Sequence, residues 1–187
     1  MPGLRTWMAL AALCVIRISD CAAQAHSSAP VVAAALGEVI TGLRKSGDGR
    51  LDGPVAFDPR IIRAPRGRAP VSWPDSVMPV WIGNVRDSAW AADMVGAVLR
   101  EANAGQGVEW VTCGAAPAIR PCDSSEFPLV AAVSEPWTSG GQSQLLVYVR
   151  YRSSIDAHPY AWFANIVQLK CVGNRWVVER SYNYAGT

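Results

Sequence analysis

The residues of this chain that could carry chemistry are few and lie far apart. Of its two histidines, only His158 falls well inside the chain, in the run Asp156-Ala157-His158-Pro159. An imidazole titrating near neutrality can serve as a general base. The plainer reading of the same run is an exposed turn beside a proline. No serine sits in a G-x-S-x-G elbow, and neither a P-loop nor a G-x-G-x-x-G fingerprint occurs. Ser139-Gly140-Gly141 belongs to a glycine-rich hairpin loop. The carboxylates are scattered, with no pair spaced for general acid and base. Asp58 and Arg60 flank Pro59 and read as a turn and its partners. The cysteines lack a C-x₂-C spacing, and only His26 and His158 could add imidazoles, so neither a metal site nor another cofactor is expected.

Two other residue types could act. The chain holds eight tryptophans. Most are expected in the core, because an indole buries a large apolar area. Trp73 and Trp137 differ in lying beside prolines in loop-like segments. Exposed, either could stack on a sugar or a peptide; tucked under its loop, each is packing, which is the favoured reading. Cys113 and Cys122 flank a short segment containing Pro117 and Pro121 and are expected to bridge in an oxidising compartment. A ring of about 10 residues would add roughly 2.5–3 kcal/mol in the chain-entropy picture. Cys171 is expected to stay reduced, behind Trp176.

The oxidising compartment is inferred from the first 25 residues. Arg5 supplies a positive start, Trp7 to Ile16 a short apolar run, and Ala23-Gln24-Ala25 a cleavage site ahead of His26. That order reads as a secretory signal peptide over residues 1–25, leaving one domain over 26–187. About 10 apolar residues are too few to cross a bilayer core of ~30 Å as a helix. Two rivals are an uncleaved anchor and a lipoprotein tethered at Cys21, although Asp20 suits a lipidation site poorly. The expected location is the periplasm or the exterior. A formal charge of +2 gives no basic excess for nucleic acid, and no later apolar run suggests a membrane span. Arginine far outnumbers lysine, of which only Lys45 and Lys170 occur. With abundant alanine and glycine, this points to GC-rich codons and a bacterial genome.

The elements that must position these residues follow from periodicity. A helix is expected from Ser28, capped there, with Pro30 in its first turn. Val32, Leu36, Val39, Ile40 and Leu43 form its apolar stripe, and Ser46–Gly49 ends it. Leu51–Arg63 reads as extended, and 64–79, with four prolines, as an irregular connection or a lid. A second helix is expected from Asp87 or Ser88 to Asn103, with Gly105 able to end it. From Gly107 the period becomes two, giving strands at Val108–Thr112, Phe127–Val133, Gln144–Arg152, Tyr160–Val172 and Arg175–Tyr184. Gly173-Asn174 makes a two-residue hairpin of type I′ or II′. Its register pairs Val172 with Arg175, Cys171 with Trp176 and Leu169 with Val178. Continued, it pairs Val167 with Arg180 and Asn165 with Tyr182. Arg180 and Asn165 then lie on the core side, at the rim or in a polar cavity.

The resulting class is α+β, with two helices on one face of a curved antiparallel sheet of four to six strands. This element order resembles nuclear-transport-factor-2-like and cystatin-like domains, whose helices nest in a bent sheet. The resemblance rests on order alone and transfers no site residues. The leading expectation is a non-catalytic domain binding an envelope protein, a glycan or a small ligand. The alternative is a small-molecule enzyme using a polar cavity built from His158, Asn165 and Arg180.

Overall fold

The computed structural model describes residues 28–45, 52–62, 89–105, 107–113, 122, 127–139, 141–152 and 160–186. The leader, Cys21, Trp73, the 64–79 segment and His158 lie outside them. The elements are α1 (Ala29–Lys45), β1 (Val55–Phe57), α2 (Ala92–Gly105), β2 (Trp110–Thr112), β3 (Leu129–Val133), β4 (Trp137–Ser139), β5 (Gln142–Arg152), β6 (Tyr160–Val172) and β7 (Arg175–Gly186). This is an α+β fold with two helices and a mixed, open sheet of seven strands.

The strand order is β2-β1-β3-β5-β6-β7, with β4 also pairing β5. From β3 onward the pairing is antiparallel, but β1 runs parallel to both β2 and β3. The sheet is therefore not the wholly antiparallel one expected. Parallel neighbours need a long crossover, and α2 lies on the crossover from β1 to β2. The three-residue β1 carries too little pattern to reveal partners more than 50 residues away in the sequence.

Helix α1 forms as its stripe requires. The Val32 N–H donates to the Ser28 carbonyl at 3.0 Å, and Val32, Leu36, Val39 and Ile40 are buried. Helix α2 begins four or five residues later than expected. Ala89 is engaged in a bridge with Arg60, and the Trp90 N–H donates to the Pro59 carbonyl at 2.8 Å. This extended pairing competes with helical hydrogen bonds and delays the first turn. At its other end, the Asn103 amide grips the Trp110 backbone: Oδ1 accepts from the N–H at 2.8 Å and Nδ2 donates to the carbonyl at 3.2 Å. That clamp fixes the helix to β2.

Both helices pack on one face of the sheet. Leu36 and Ile40 meet Phe57, Leu129, Val147, Val167, Leu169 and Trp176 in the main core. Burying each such side chain contributes about 1.5–3 kcal/mol. The opposite face is covered as well. Ile62, Ala132, Leu146, Ala164 and Ile166 form one cluster there, and Ala56, Val130, Cys113 and Cys122 another. All five residues of β3 are accordingly buried, as expected for a strand packed on both sides.

The terminal hairpin keeps its expected register only near the turn. Gly173 has φ 64° and Asn174 has negative φ, which makes the turn type II′. Val172 faces Arg175, Cys171 faces Trp176 and Leu169 faces Val178. Beyond that point a β-bulge leaves Glu179 without an opposite residue. Val167 then pairs with Ser181 rather than Arg180, and Asn165 with Asn183 rather than Tyr182. Because side chains alternate, one extra residue turns Arg180 and Tyr182 to the outer face and brings Ser181 and Asn183 inward.

Candidate functional site

Where α1 crosses the ends of β5, β6 and β7 farthest from the Gly173-Asn174 turn, a cleft of about 460 Å³ remains open. The last turns of α1 supply Glu38, Val39, Gly42 and Leu43; Tyr151 comes from β5, and Phe163 and Asn165 from β6. Ser181 and Asn183 complete it from β7, and they reach it because of the bulge. The Tyr151 and Phe163 rings pack at a tilt of 58°, 6.1 Å between centres. Gly42 keeps the helix side open, since a Cβ there would meet no atom within 4 Å.

Asn165 is the polar centre of this wall. Its Nδ2 donates to Ser181 Oγ at 3.3 Å. Its Oδ1 is buried and accepts no hydrogen bond. An unsatisfied buried acceptor costs about 1–3 kcal/mol. At the rim, Glu38 is exposed. It is the single charged side chain among the described residues lining the cleft.

The sequence placed Asn165 and Arg180 together, and the fold separates them. Arg180 is exposed and donates to the Tyr182 hydroxyl at 3.3 Å. The sequence missed Glu38, Gly42, Ser181 and Asn183. Glu38 and Gly42 look like ordinary polar-face positions of α1, and only the bulge brings the other two inward.

Trp137 is 44 % exposed, on the short strand β4 rather than tucked under a loop. Asp58 and Arg60 form the expected turn lock. Arg60 Nε donates to both carboxylate oxygens at 2.8 and 3.0 Å, its Nη2 adds a further contact, and its backbone N–H reaches Asp58 Oδ1 at 3.1 Å. Cys113 and Cys122 are paired, with Cα atoms 5.2 Å apart, and Arg150 Nη2 donates to the Cys122 carbonyl at 2.7 Å. Cys171 is disulfide-bonded too, a correction to the reduced thiol expected; its partner lies outside the described residues. Among the described residues no helix is long and apolar enough to cross a membrane. The chain matches no protein-family model, no curated protein and no solved structure.

Proposed function

We propose that this chain is an exported, non-catalytic domain that binds a small ligand in the cleft between α1 and the ends of β5–β7. The observation that carries the reading is the buried, unpartnered Oδ1 of Asn165 on the wall of an open, partly aromatic cleft. Ligand sites combine such apolar walls with a few convergent polar groups. The element order, similar to that of nuclear-transport-factor-2-like and cystatin-like domains, favours a site between helices and sheet. The Cys113–Cys122 pair is compatible with an extracytoplasmic location, as the leader suggests. An enzyme built on Asn165 with Arg180 is disfavoured, because Arg180 faces away from the cleft.

A thermal-shift screen of small metabolites against the oxidised full chain tests this, with Gly42→Phe, His158→Ala and Trp137→Ala beside it. Gly42→Phe fills the cleft from a position where the side chain meets open space. Hits should disappear in Gly42→Phe and persist in the other two. Hits indifferent to Gly42→Phe would overturn the cleft as the binding site. A ligand lost only with Trp137→Ala would move recognition to the exposed indole. Turnover of a hit, abolished by His158→Ala, would make the protein an enzyme.

A further inference from the structure

We infer that the ligand of this cleft is a small organic cation: a primary or secondary amine carried on an aromatic or branched aliphatic body. The inference rests on the cleft being a ligand site and goes on to name the chemistry it selects. Two described groups there ask for a donor or a positive charge. Asn165 Oδ1 accepts, lacks a partner, and has its own amide hydrogens turned to Ser181. Glu38 is the only charge among the described lining residues and forms no ion pair within the described residues.

The backbone adds to the same sign. Gly42 lies in the last turn of α1, and the C-terminal end of a helix carries partial negative charge that favours cations. Arg44 and Lys45 share that turn, but neither lines the cleft, and the Arg44 guanidinium donates to the Gly53 carbonyl. Val39, Leu43, Tyr151 and Phe163 supply the surface for the ligand's body, and aromatic faces add cation–π attraction. A carboxylate of the same shape would meet Glu38 as a like charge and leave Asn165 Oδ1 unsatisfied. An alcohol would supply the hydrogen bond without the charge.

Calorimetry with the full chain and three probes of one shape decides the class: 2-phenylethylamine, 2-phenylethanol and 3-phenylpropanoate at pH 7 and low salt. The amine should bind at least tenfold more tightly than either other probe. Glu38→Gln and Asn165→Leu should each weaken it about tenfold, and Gly42→Phe should abolish it. Equal or tighter binding of the alcohol or the acid, or an amine affinity unchanged in Glu38→Gln, would overturn the cation. Such a result leaves the cleft a ligand site whenever the bound probe is still lost in Gly42→Phe. Failure of all three probes overturns the cation class; failure of the whole metabolite screen sinks the ligand reading itself.

Discussion

Tyr148 lies mid-strand on β5, stacked on Trp162 with ring centres 6.0 Å apart. Burial pushes its phenol above the ordinary value of 10, and the positive charges of Arg150 and Arg60 pull less strongly the other way. A pKa raised by folding means that the native state holds this proton more tightly than the unfolded chain does. The associated stability is complete below about pH 10 and is lost as pH rises through the folded-state value. Urea denaturation from pH 8 to 11 should therefore show an alkaline decline that Tyr148→Phe blunts. An unchanged alkaline slope in the variant would assign the decline to other groups. Asp58 shows a different solution to burial. It is only 3 % exposed, and Arg60 supplies its charge partner from two residues away. That pairing was legible in the sequence because it is local. The orphaned oxygen of Asn165 was not, because its surroundings are assembled from three strands and a helix.

At the level of elements, the bulge in β7 decides which residues reach the cleft. In the bulged pairing Glu179 is the residue without an opposite, while Val178 and Arg180 face consecutive residues of β6. Deleting Glu179 should therefore smooth the strand and keep Ser181 and Asn183 inward. The exposed Lys170–Glu179 pair at 3.5 Å would be lost, at a cost of about 0.2–1 kcal/mol. Ligand binding in the cleft should survive, and Tm should move by only a few degrees. Collapse of the fold on this deletion would mean that the alternation runs unbroken through residue 179. The sequence revealed the hairpin turn because Gly-Asn is a specific local signal. It hid the bulge because Glu179 to Asn183 offers no apolar alternation to violate. Strand β4 escaped notice for a related reason: Trp-Thr-Ser is too short and too close to glycines to show a period. The long strands β5, β6 and β7 and the stripe of α1 were legible, since each repeats its pattern over several turns or pleats.

For the molecule as a whole, sulfur counting connects the leader to the fold. A chain cut after Ala25 retains Cys113, Cys122 and Cys171. With the first two paired, Cys171 must then be a free thiol or be bonded to another molecule. An uncut chain also retains Cys14 and Cys21. Intact-mass analysis with thiol alkylation of protein from an export host reads both facts together. For the exported reading, a mature start at His26 should coincide with one alkylatable thiol or one mixed disulfide per chain. A start at Met1 in oxidised material with Cys171 bridged would remove the cleavage expectation.

The first helix rests on the last strand. Helix α1 packs against β7, so its buried stripe lacks part of its cover until the C-terminal residues have been made. The β5–β6–β7 meander can form from neighbouring segments, whereas β1 must find β2 and β3 across long stretches of chain. Such distant pairings pay their loop-closure entropy before any contact rewards it, and this slows folding. Until its last residues are released, a nascent chain of this protein therefore lacks the cover that α1 takes from β7.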